Sequence, residues 1–167
     1  MAREERRNKS LAATAAWPLL VLTAVLHGFF GLSNVAYLFM GVLKPAFGLG
    51  AWTAATMGAL QAVAAVVVVV LAARGDLRGA ILAVAGSLML GWLSLLPSVV
   101  EQGLDFHGDN KGNSAYVVIA PLIAIPAAAL AWRNIYLIAA ALIASAMTVV
   151  GILFVIAFGI AIAMYGF

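Results

Sequence analysis

No residue from Asn134 to the C-terminal Phe167 carries a charge. The same holds from Ser10 to Leu43, Pro45 to Ala73, Gly79 to Val100 and Gly112 to Trp132. A helix rising 1.5 Å per residue crosses a hydrocarbon core of about 30 Å in about 20 residues, so each stretch is long enough for one crossing. A water-soluble fold has no use for five such stretches. Soluble domains are about one-quarter charged, whereas this chain is 9% charged and 66% hydrophobic, with a mean hydropathy of +1.14. The sequence therefore predicts an all-α, polytopic transmembrane bundle of about five spans, lying near residues 11–42, 52–73, 80–100, 116–132 and 135–165.

The few charges mark the ends of these spans. A basic tail (residues 1–10) precedes the first, and residues 11–167 form a single bundle with no room for a soluble domain. Lys44, Pro45, Gly48 and Gly50 mark the first connection, Arg74 to Gly79 a tight charged turn, residues 101–114 a long polar loop, and Arg133-Asn134 a minimal turn. The apolar run after the tail is too long for a signal-peptide core and reads as an uncleaved span. Of nine Lys and Arg, seven (Arg3, Arg6, Arg7, Lys9, Arg74, Arg78 and Arg133) share one side in this threading, and two (Lys44 and Lys111) lie on the other. Basic residues favour the cytoplasmic side, so the N-terminus is expected inside, with the polar loop and C-terminus outside, in a bacterial inner (plasma) membrane. Trp17, Trp52, Tyr116, Trp132, Tyr136 and Tyr165 fall near span ends, where aromatic belts form. The first and last spans exceed the bilayer thickness and must tilt or bend, with Gly28, Gly31, Gly151 and Gly159 as places to do so. Pro121 and Pro126 are expected to distort the fourth.

Three groups of residues carry the functional expectations. Gly79, Ala83, Ser87 and Gly91 repeat every fourth position in the third span, with Ser94 and Ser98 following on nearly the same face. Small residues at this interval let helix backbones approach closely, so this is the predicted packing face. Leu88 and Leu90 fall off it. Matching small faces are Ala54, Gly58, Gln61 and Ala65 in the second span, and Ala141, Ser145 and Thr148 in the last. In the first span His27, Asn34 and Tyr37 make a semi-polar stripe with Phe30 and Gly31. Polar groups are costly in lipid, so His27, Asn34, Tyr37 and Gln61 form a candidate ligand or proton site, or else hydrogen-bond between helices. In the outer loop, Asp105, His107 and Asp109 are a weak candidate for a metal site, competing with a plain solvated acidic loop.

The sequence carries no motif for haem, flavin, nucleotide or iron–sulfur cluster. With no cysteine it has no thiolate ligand, and a bis-histidine haem would need a second histidine at membrane depth, whereas His107 lies in the loop. Nor does it present a paired-carboxylate, nucleophile-elbow or phosphate-loop signature, so enzymatic activity is disfavoured. The expected partners are the lipid bilayer and a membrane protein or a second copy of the chain, not nucleic acid. The expected role is that of a non-catalytic accessory subunit packing through its small-residue faces. The alternative is a small-solute, ion or lipid carrier whose path is lined by His27, Asn34, Gln61 and the serines of span three.

Overall fold

The computed structural model describes residues 2–40, 49–108 and 110–166, and among these every regular element is an α-helix. The order is α1 (Ala2–Phe39), α2 (Leu49–Ala73), α3 (Leu77–Gln102), α4 (Lys111–Trp132), α5 (Leu137–Ala144) and α6 (Ala146–Tyr165). Five of them, all but α5, are long and apolar enough to cross a membrane. The chain is a multi-pass membrane protein. In lipid each backbone N–H and C=O must be satisfied within its own segment, which helices achieve and irregular chain does not.

Helices α1 to α4 pack as sequential antiparallel neighbours, and α3 lies at the centre, with 44% of its span buried against 6% for α6. Two turns meet on one side of the bundle. Asp76 caps α3 by accepting the Gly79 N–H at 2.9 Å, and Arg78 reaches over to donate to the Trp132 carbonyl at 3.1 Å while its guanidinium stacks on the Trp132 ring. The half of the bundle next to these turns is sealed by small side chains packed around a few larger ones. Ala16, Leu20 and Ala24 of α1, Val68 of α2, Ile81 and Val84 of α3, Ala127 and Ala131 of α4, and Ala140, Ala141 and Ala144 of α5 form one buried cluster.

The last apolar stretch departs from the single span expected over 135–165. It enters through Asn134 and Tyr136, both in the left-handed region (φ 55° and 48°), runs as α5, and breaks at Ser145, whose φ and ψ of −96° and 1° lie outside the helical basin. The break thus falls at Ser145 and not at Gly151 or Gly159, both of which sit inside α6. Helix α4, by contrast, runs unbroken through Pro121 and Pro126. Helix α1 extends without interruption from Ala2, in the basic tail, into the first span.

Candidate functional site

Glycine lets α1 and α2 approach until their backbones are in contact. A Cβ on Gly31 would collide with the Gly58 carbonyl, and one on Gly58 with the Gly31 carbonyl. A Cβ on Gly28 would lie 2.8 Å from Ala65 Cβ. With no side chains between them the backbones touch, which is how membrane helices gain dispersion contact without a hydrophobic driving force. Gly28 and Gly31, expected to be bending points, are contact points against Gly58 and Ala65 of the small-residue face expected in the second span. The signal was present in the sequence as Gly28 and Gly31 opposite Gly58 and Ala65.

The seam brings the polar stripe of α1 alongside Gln61 of α2 and then onto α3. Gln61, 5% exposed, donates from Nε2 to the Ser87 carbonyl at 3.0 Å. His27 Nδ1 lies 3.2 Å from Ser87 Oγ, the donor being set by the imidazole tautomer. From α4, the Tyr116 hydroxyl donates to the Leu88 carbonyl at 3.3 Å. These two carbonyls already serve the α3 helix, but each has a second lone pair. Gly91 leaves that pair uncovered. A helical side chain lies over the turn before its own Cα, and a Cβ on residue 91 would sit 2.5 Å from the Tyr116 hydroxyl and 2.8 Å from Gln61 Nε2. Gly91 is therefore the gap through which α2 and α4 both bond to the backbone of α3.

Around this knot is a cavity of about 480 Å³ lined by His27, Asn34, Tyr37, Gln61, Ser94 and Tyr116, with Phe29, Phe30, Ser33, Gly91 and Leu95. All four residues of the candidate ligand site, His27, Asn34, Tyr37 and Gln61, line it together. Asn34 is partly buried and makes no hydrogen bond to the described residues, so its amide is available. Asn34, Ser94 and Leu95 also line a second cavity of about 340 Å³ that reaches Ser98, Glu101, Gln102 and Asn113 at the polar-loop end. On the other side, His27, Phe30 and Tyr116 are shared with an apolar groove of about 460 Å³ walled by Met147, Gly151, Ile152 and Val155 of α6. Sequence reasoning missed Tyr116, which the span boundaries had assigned to an aromatic belt.

The small-residue face of α3 is divided in its roles. Ser87 and Gly91 are buried and face His27, Gln61 and Tyr116. Ala83 packs at the edge of the inner cluster. Gly79 belongs to the cap, because a Cβ there would lie 2.5 Å from Asp76 Oδ2. Leu88, expected off the contact face, is fully buried against Ala124 of α4, because a central helix has neighbours on more than one side.

In the polar loop, Asp105 organises its own turn. Its Oδ1 accepts the backbone N–H groups of Gly108 at 2.7 Å and His107 at 3.0 Å, and its own N–H donates to Ser114 Oγ at 2.8 Å. Those amides, Gly108 first and His107 next, hold the carboxyl below the usual carboxylate range. Asp109 lies outside the described residues. Among the described residues, no three His, Asp or Glu side chains gather as a metal-ligand set.

Comparison with protein-family models, curated proteins and solved structures finds no match to this chain.

Proposed function

We propose that this protein binds a small hydrogen-bonding molecule within the membrane, in the cavity around His27, Asn34, Gln61 and Ser94, with access from the side of the polar loop. One observation carries the reading. Side chains from α1, α2, α3 and α4 bring their polar atoms to a single space within the spans, on the polar-loop side of their midpoints, where unpaired polar groups are costly. Its volume lies within the range of about 300–1,000 Å³ typical of small-molecule sites. The second cavity leads from it to Glu101, Gln102 and Asn113, whereas the alanine-rich cluster seals the opposite half. This is the carrier alternative of the sequence reading, narrowed to a site open on one side. By the positive-inside bias, the open side faces outward from a bacterial inner membrane and the N-terminus is cytoplasmic.

Because the chain has no cysteine, single replacements report cleanly. Ser94→Cys should react with a membrane-impermeant thiol reagent added on the polar-loop side and not on the other, and an uncharged polyol or amide that fills the site should slow the reaction. Val84→Cys, in the sealed half, should react from neither side. Equal labelling of Ser94→Cys from both sides, or reactivity that no solute slows, overturns the reading.

The accessory-subunit role keeps one supporting observation. Among the residues of α6, Thr148 alone is buried, which leaves the rest of that helix open to a partner or to lipid. Co-purification of a stoichiometric partner in mild detergent would favour that role. The α3 face does not support it, since Ser87 and Gly91 are occupied within the bundle.

A further inference from the structure

The cavity and the groove lie against the same three side chains, and they differ in chemistry. His27, Phe30 and Tyr116 line both. The cavity offers Asn34, Gln61, Tyr37 and Ser94, and the groove almost nothing polar beyond Thr148. Among the described residues, none that lines these spaces or the second cavity is Lys or Arg, and the sole charge is Glu101 at the polar-loop end. A phosphate or carboxylate head would lose its hydration at this depth with no cation among the described lining residues to replace it, at a cost of several kcal/mol per ion. An uncharged head loses far less and finds both donors and acceptors here.

We propose that the ligand is a neutral-headed amphiphile, its hydrogen-bonding head in the His27–Asn34–Gln61 cavity and its apolar tail in the groove between α1, α4 and α6. This rests on the site reading above and adds the tail and the uncharged head. The groove is not offered as a source of affinity. Lipid tails are as apolar as its walls, so a ligand chain moving from bilayer to groove gains little beyond packing. Its role is steric, giving the chain somewhere to lie while the head is inside. Two classes of molecule share this chemistry, prenylated or alkylated quinones and diacylglycerols, and each is an arm of the test.

Gly151 allows the groove to be closed without disturbing the fold, since a Cβ there meets nothing within 4 Å. Gly151→Phe should fill the groove and leave the cavity intact. Binding is read as the ligand-induced rise in thermal unfolding temperature, which requires no introduced thiol. The probes are a decyl-substituted trimethylbenzoquinone, dioctanoylglycerol, their tail-free counterparts tetramethylbenzoquinone and glycerol, and dioctanoyl phosphatidate as the charged comparator. The expected result is stabilisation by at least one neutral amphiphile and its tail-free counterpart, with no effect of phosphatidate. Gly151→Phe should weaken the amphiphile by about tenfold or more and leave the tail-free counterpart unchanged. Whichever neutral arm binds identifies the source. Equal binding of phosphatidate overturns the neutral head, and unchanged amphiphile binding in Gly151→Phe overturns the tail groove. If tail-free solutes bind and neither amphiphile does, the amphiphile proposal fails while the site reading stands. If Ser94→Cys is also inaccessible, both fail.

Discussion

Gly31→Ala tests the seam on which the site depends. The added methyl group would sit against the Gly58 carbonyl, 3.0 Å from the Gly58 carbonyl carbon and 3.0 Å from Gln61 Cβ. Two of those three neighbours are backbone, which cannot rotate aside, so α1 and α2 must separate. Ordinary carbon contacts lie at about 3.5–4.0 Å, which sets the required shift at roughly half an ångström to an ångström. Overpacking of this kind costs about 1–3 kcal/mol. The shift also draws His27 and Asn34 away from Gln61, so any ligand of the cavity should bind less tightly. Gly86→Ala is the matched control. It lies on exposed α3 surface with nothing within 4 Å of the new Cβ, and a helical Gly→Ala change in open space stabilises by about 0.5–1 kcal/mol. Reversible unfolding in mixed micelles would measure both. If Gly31→Ala matches Gly86→Ala, the α1–α2 contact is not close-packed and the derivation of the site from it is wrong.

Leu88→Ala, which empties a fully buried position against Ala124, should destabilise by about 2–5 kcal/mol, and Leu93→Ala, at an exposed position, by much less. Similar losses in a thermal melt would mean that α3 is not the central helix. Cysteines introduced at Asn110 and Gly75 should label from opposite sides of the membrane, Asn110 from outside. Labelling of Gly75 from outside would reverse the orientation inferred from the basic residues. The Asp105 carboxyl is depressed in the folded protein, so its support of the loop is complete above its ordinary pKa of 3.8 and is lost as pH falls through the lower folded value. Amide exchange at His107 and Gly108, corrected for intrinsic rate, should therefore stay protected from neutral pH down through the ordinary carboxylate range and rise only below it. Loss of protection already near neutral pH would show that the carboxylate does not hold the turn.

The spans were legible because charge is so scarce here that five uncharged stretches delimit five crossings. The membrane allows such a stretch little besides helix. His27, Asn34, Tyr37 and Gln61 were legible for a related reason, since a polar side chain at bilayer depth must face something other than lipid. What they face was not legible. Tyr116 reads as a belt aromatic by its place near a span end, and only the relative position of α3 and α4 brings its hydroxyl to Leu88. Gly91 was counted with Gly79 because periodicity treats equal spacing as equal role. One opens a passage for Gln61 and Tyr116, and the other makes room for the Asp76 cap. Spacing places residues on a face and is silent about which neighbour arrives there.

The break at Ser145 can be followed from side-chain size to the shape of the site. Before it, α5 presents Ala140, Ala141 and Ala144, small enough to be fully buried against α1, α3 and α4 and to close the half of the bundle next to the α2–α3 turn. After it, α6 carries Ile152, Phe154, Ile156 and Phe158, and Phe154 stacks on Phe158 along its exposed surface. Side chains of that size cannot enter a space that alanines fill, so a straight helix would force either the first part out of the bundle or the second part into it. The break at Ser145 falls where the one set of side chains gives way to the other. The hydroxyl of Ser145, at the break, is fully buried and has no hydrogen-bond partner among the described residues. The gap left between α6 and α1 is the groove beside His27 and Tyr116. The same change from small to large side chains thus seals one end of the protein and leaves the lateral opening at the other.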